Sequence, residues 1–222
     1  MSFFYIITHY EHTVNFKREK IKFGRFYRPF DFSEVLCYSF PMKNTKFPIR
    51  DICFTGLFAA LISVSALSIP APGGIPFTLQ TFMIMLAGII LGPKKGVLAV
   101  LVYIILGTVG LPVFSGFRGG FGVISGPTGG FIISFAVIAF LAGIGAQGNK
   151  IIKPMIFITA GVLLNYLCGM LWYDFVTGNG FAAAFTVCVL PFIPGDAVKV
   201  VLAVFAGRQI KAALSKGKIW FS

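Results

Sequence analysis

Acidic residues are scarce in this chain. Asp and Glu together number seven among 222 residues, and all charged residues make up 12%. An average soluble domain carries about 25%, so the composition points to lipid rather than water as the solvent. Histidine is rarer still: His9 and His12 are the two copies, and no Glu occurs from Pro48 onward. The body of the chain thus lacks the side chains that most often perform general acid–base work. Its four cysteines, Cys37, Cys53, Cys168 and Cys188, show no paired spacing, which argues against a disulfide framework or a metal site. The glycine-rich stretch from Gly116 to Gly130 has no Gly-Lys-Ser/Thr ending, so a phosphate-binding loop is excluded as well.

Hydrophobic residues fill 57% of the chain, which holds 26 Phe and 26 Gly, and the mean hydropathy is +0.88. The formal net charge is +12. In a soluble protein that excess would suggest nucleic acid, but here the basic residues lie between apolar runs rather than in one patch. Residues 1–47 form a basic, aromatic-rich extension with Lys17, Arg18, Lys20, Lys22, Arg25 and Arg28, and without a signal-peptide type of apolar core. They read either as a cytoplasmic arm or as sequence upstream of a translation start at Met42. Peptides from residues 2–40, sought by mass spectrometry of the native protein, distinguish the two.

From residue 48 to 222 the chain reads as one membrane domain of apolar blocks divided by Gly and Pro. The blocks run roughly over 51–69, 77–91, 94–110, 130–147, 154–176 and from 181 onward. A span of the hydrocarbon needs about 20 residues, fewer inside a bundle. The last region holds Pro191 and Pro194. Proline is tolerated in a first turn and not in a helix interior, so this region divides into a short helix near 181–190 and a final one from Pro194. The expectation is an all-α, polytopic protein with six transmembrane helices. Basic residues accumulate on the cytoplasmic side of membrane proteins. With both termini inside, the inner segments hold Lys43, Lys46, Arg50, Lys94, Lys95, Lys150, Lys153, Arg208, Lys211, Lys216 and Lys218, and the outer loops hold Arg118 alone.

A charge within an apolar span is costly and is a functional hypothesis by default. Asp196 and Lys199, in Phe192-Ile193-Pro194-Gly195-Asp196-Ala197-Val198-Lys199, share one helical face. Asp196 is the expected buried carboxylate of the core. Pro194 sets the pair near a helix N-terminus, which favours an anion. Lys199 suits a ligand carboxylate, and Asp196 suits ligand N–H groups or the orientation of Lys199. The alternative is a pair that only neutralises itself. Arg118, in the long glycine-rich loop, suits a carboxylate or a carbonyl oxygen; the alternative is an arginine on a connector facing water. Gln80, Tyr103, Asn165, Tyr166 and Trp172 are further pocket residues, unless they bond neighbouring helices or anchor the interface. In the first helix Gly56, Ala59, Ala60 and Ser63 form small-xxx-small patterns, which suit either a docking face for a partner subunit or packing within the bundle.

Five segments together resemble the BioY family, the biotin-specific S components of energy-coupling-factor (ECF) transporters. They are Ile75-Pro76-Phe77-Thr78-Leu79-Gln80-Thr81-Phe82, Leu86-Ala87-Gly88 with Leu91-Gly92-Pro93, Gly110-Leu111-Pro112-Val113-Phe114, Gly126-Pro127-Thr128-Gly129-Gly130 and Pro194-Gly195-Asp196-x-x-Lys199. The resemblance runs in order over residues 48–215. It departs from the family at Phe131, where a Tyr is frequent, and at Arg118, where some relatives have Asn.

The resemblance implies an S component of the plasma membrane that binds biotin near its outer face. Asp196, Lys199 and the loop between helices three and four would contribute to that pocket. It also implies a transmembrane coupling protein and two cytoplasmic ABC-type ATPases as partners, with no cofactor or catalysis in this chain, and an S component that topples in the membrane to release its ligand. Biotin suits the residues independently, since a carboxylate on an apolar chain and a ureido head need an apolar pocket with a few polar groups. Two alternatives stand beside it. One is the same scaffold with dethiobiotin or another vitamin; the other, disfavoured by the missing His and Glu, is a membrane enzyme acting on lipid.

Overall fold

The computed structural model describes residues 49–66, 68–69, 77–148 and 151–216, all within the unit Lys46–Ser222. The basic extension, the Met42 alternative, and Lys43, Lys46, Lys150 and Lys218 lie outside the described residues. The fold is all-α. In chain order come α1 (Ile49–Val64), α2 (Gln80–Leu91), α3 (Pro93–Val109), α4 (Phe121–Ile124), α5 (Gly129–Gly145), α6 (Ile152–Thr177), α7 (Phe181–Cys188) and α8 (Ile193–Lys216). A two-residue antiparallel ladder, β1 (Ser68–Ile69) with β2 (Phe77–Thr78), leads into α2. Neither this ladder nor α4, inside the glycine-rich loop, has a periodic signal in the sequence.

Proline and glycine set the boundaries. Gly92 takes φ 83° and Pro93 opens α3, so α2 and α3 meet at a sharp corner, with proline at a first turn where its missing N–H costs nothing. Pro191 and Pro194 separate α7 from α8, which are bent by 51°. Six helices are 12 residues or longer, and α6, at 26 residues, is about 39 Å long. Among the described residues it is the one helix long and apolar enough to cross a membrane by itself, and the bent pair α7 and α8 passes the same test together. Of the others, α1, α2 and α5 are shorter than the expected blocks, and α3 matches its block in length. At 12 residues, α2 is about 18 Å long, and it packs on α1, α3, α5 and α8. A short helix with irregular backbone at its ends is tolerated at membrane depth when protein encloses it.

The exterior is apolar, and a largely apolar core encloses a few polar groups. Phe175 is 84% exposed and Val109 80%, whereas Asp51, Gln80, Ser134, Asn165 and Asp196 are buried. An apolar exterior around a partly polar core suits hydrocarbon as the surrounding medium. Close packing depends on missing side chains. At Gly88 a Cβ would lie 2.7 Å from the Ala142 Cβ on α5, so α2 and α5 approach more closely than any larger residue permits.

Two expectations are corrected here. Asp196 is not the sole buried carboxylate: Asp51, in the first turn of α1, is 4% exposed and lies 2.6 Å from the Lys95 ammonium on α3. Packing of α1 against α3 encloses a residue that reads as membrane flank beside Arg50. Ala59 is buried at 2% exposure, so it packs within the bundle and is not available to a partner. Gly56 and Ala60 are exposed and Ser63 is half-buried, its hydroxyl donating to the Ala59 carbonyl at 2.8 Å.

Candidate functional site

The site is assembled at the first turn of α8. Asp196 and Lys199, one turn apart, form an ion pair of 2.8 Å with side chains only 6% and 15% exposed. The Lys199 ammonium also donates to the Thr78 carbonyl at 2.8 Å and to the Thr81 hydroxyl at 3.2 Å. An ammonium has three donors, and all three are directed here at acceptors of the protein. Asp196 receives the Tyr166 hydroxyl at 2.7 Å on Oδ2 and the Thr81 hydroxyl at 3.3 Å on Oδ1. An ionised carboxylate has about four acceptor positions, so Asp196 keeps capacity for a further donor.

Around this pair lies a cavity of about 80 Å³, as measured to the centre of a water-sized sphere. A single water needs about 10–15 Å³ on that measure, so there is room for a small molecule. The cavity brings together Asp196, Lys199, Arg118, Gln80, Asn165 and Tyr166, with Tyr103 beside them. Phe131, Phe135, Ile132 and Phe192 supply apolar wall. Gln80 donates to the Tyr103 hydroxyl at 2.7 Å, which spans α2 and α3. Asn165 and Ser134 meet at 2.7 Å between α6 and α5, and the Ser134 hydroxyl is equally close to the Gly130 carbonyl. Trp172 does not line the cavity; its indole N–H donates to the Gly126 carbonyl at 2.9 Å and braces the glycine-rich loop against α6.

That loop is built, not slack. Phe114 is fully buried and meets Tyr103 edge-to-face at 5.5 Å between centroids. Gly107 on α3 makes this seat, since a Cβ there would occupy the Phe114 ring. Gly116 and Phe117 then take φ 74° and 55°, and Arg118 returns to pair with Phe114 in an antiparallel bridge. Left-handed backbone at a non-glycine residue is uncommon and collects near functional sites. The turn sets Arg118 at the exposed mouth of the cavity, its Nε donating to the Ser115 carbonyl at 3.2 Å. The buried Ser115 hydroxyl, on the cavity wall, has no hydrogen-bond partner within the protein.

Thr78, Thr81, Ser115 and Thr128 line the cavity and Ser134 bonds the lining residue Asn165, and the sequence does not single out these hydroxyls as site groups. The Thr78 contact joins residues 121 apart, and threonine or serine alone in an apolar run carries no sign of its partner. Among the described residues no three His, Cys, Asp or Glu side chains come together as a metal site, and Cys53, Cys168 and Cys188 are unbonded.

The comparisons with known proteins point one way. The BioY family model matches residues 42–216. The probable biotin transporter BioY of Pyrococcus horikoshii is 43% identical over 163 residues, which covers 73% of this chain and 96% of that protein. The biotin transporter BioY of Thermotoga maritima is 38% identical over 165 residues, again 73% of this chain and 96% of that protein. A 2.1 Å crystal structure of the S-component for biotin from an ECF-type ABC transporter is similar with a TM-score of 0.69 and 28% identity, over 74% of this chain and 92% of that one.

Proposed function

This chain belongs to the BioY family, and from that premise we propose that it is the biotin-binding, substrate-capture subunit of an ATP-driven vitamin uptake transporter. The observation that carries the proposal is one cavity in which a buried acid, a half-buried lysine, a tyrosine and two side-chain amides converge within apolar walls. Biotin presents groups of matching kind. Its ureido N–H groups suit the remaining acceptor capacity of Asp196, and its ureido oxygen suits an amide N–H. Its carboxylate suits Arg118 at the mouth, through a charge-assisted bond about twice as strong as a neutral one, with the positive charge of Lys199 nearby. Its fused rings and valeryl chain suit Phe131, Phe135 and Phe192.

The chain acts as a carrier and not as a catalyst. ATP hydrolysis belongs to two cytoplasmic ABC-type ATPases, joined to this subunit through a transmembrane coupling protein. The exposed small residues Gly56 and Ala60, with Ser63, are the docking face on α1, because small side chains let another helix approach closely. In the plasma membrane the six longer helices form the spans, with both termini in the cytoplasm and the Arg118 loop outside. That orientation follows the distribution of Lys and Arg.

The test is isothermal titration of biotin into the detergent-purified chain without partner subunits. One-to-one binding is expected; absence of binding by a folded preparation would overturn the reading. A second reading is favoured by the same groups, because dethiobiotin shares the ureido and carboxylate ends. Competition between the two ligands decides it, and biotin is expected to bind more tightly.

A further inference from the structure

A second cavity lies at the far end of α8 from the first. Fifteen residues of helix separate Asp196 from Lys211, a rise of about 22 Å. This cavity has about 410 Å³ on the same measure and sits where the end of α5, the start of α6 and the last turns of α8 meet. Its described lining contains two charged side chains, Arg208 and Lys211, both basic. They are three residues apart on one helical face, a spacing at which like charges repel. Lys211 is fixed there by a 2.9 Å bond from its ammonium to the Ala146 carbonyl, just past the end of α5. Ile89, Pro154 and Val204 make the rest of the wall apolar.

We propose that this cavity binds the phosphate of an anionic phospholipid headgroup. Two like charges held on one face gain from an anion placed between them. The planar guanidinium of Arg208 matches phosphate oxygens in a two-pronged manner that a lone ammonium does not provide. Free phosphate has the same oxygens, but the apolar part of the wall favours a ligand with a carbon body. Basic pockets between helices at the cytoplasmic boundary are a known kind of headgroup site, and this end of the bundle also carries Lys94 and Lys153. The site is independent of the biotin cavity, though its place at the inner leaflet rests on the orientation proposed above, and it would hold the subunit at a fixed depth there.

Native mass spectrometry of the detergent-purified chain tests this, with phosphatidylglycerol, phosphatidylcholine and inorganic phosphate as separate probes. One phosphatidylglycerol is expected to be retained in preference to phosphatidylcholine. In R208Q/K211Q that preference should fall about tenfold to thirtyfold, on the scale of two surface charges against an anionic headgroup. R208K/K211R, which keeps both charges, should retain most of it. Unchanged elution and melting temperature in each variant report an intact fold. Equal retention of the two lipids, or a preference unaltered in R208Q/K211Q, would overturn the proposal. Displacement of the lipid by inorganic phosphate alone would reassign the site to the free anion and remove the lipid from it.

Discussion

Lys199 and Asp196 show how little a single residue decides by itself. Each is costly in an apolar bundle, and each is made tolerable by the other together with Thr78, Thr81 and Tyr166. Removing one member of a buried pair costs about 3–5 kcal/mol, whereas replacing both with apolar groups is often neutral. Lys199 keeps some exposure, so the lower end of that range applies. K199M and D196N are therefore each expected to lower stability, with the double variant losing less than the sum of the two. A double-mutant cycle by denaturation measures this; strict additivity would show that the pair is not coupled. Biotin affinity should fall about tenfold to a hundredfold in every one of these variants, since each removes a charge from the ligand cavity and a hydrogen bond to a charged group is worth about 1.5–3 kcal/mol. Y166F is a milder change that deletes one bond to a charged acceptor, worth about 1.5–3 kcal/mol. It should weaken biotin by about tenfold or more while the protein still folds, as titration of the purified variant would reveal.

At the scale of elements, glycines decide where helices and loops come together. Gly107 admits the Phe114 ring into α3, and Phe114 in turn holds the loop that bears Ser115 and Arg118. G107V should expel the ring, shift the loop and weaken biotin while the helical content by circular dichroism stays as in the parent. Retained affinity would mean that the loop is positioned by other contacts, such as Trp172 on the Gly126 carbonyl. G88L is expected to act differently, wedging α2 from α5 at the core. Overpacking costs about 1–3 kcal/mol, so its effect should appear first as a lower melting temperature. The sequence marked this loop by its length and glycine content, but not its anchor, because a phenylalanine among 26 gives no sign that it alone fills a groove. Likewise the Gly-Pro breaks at Gly92–Pro93 and around Pro191 and Pro194 located the helix ends within a few residues. The ladder before α2 left no such mark, being only two residues per strand.

For the molecule as a whole, the proposed orientation has a direct test. Cysteine introduced at Phe117 should react with an impermeant maleimide in intact cells, and cysteine at Lys94 should react only after the membrane is opened. Both positions are exposed in the bundle, so reversed labelling would invert the topology. The sequence by itself determined the all-α membrane class, since scarce charge and repeated apolar blocks leave a helical bundle as the economical way to bond every backbone group in lipid. It also determined the family, through five ordered motifs, and it marked Asp196 and Lys199 because ionisable groups are rare enough in such spans to be conspicuous. Tertiary structure alone decided that Thr78, Thr81, Ser115 and Thr128 line the cavity and Ser134 bonds Asn165, that Ala59 turns inward and Trp172 away from the cavity, and that Asp51 is buried against Lys95. It alone decided, too, that Arg208 and Lys211 border a second cavity. The physical reason is common to all of these. A charge in an apolar run is visible from its neighbours in sequence, whereas a hydroxyl, a small side chain or a flanking charge acquires its role only from the groups that packing brings beside it.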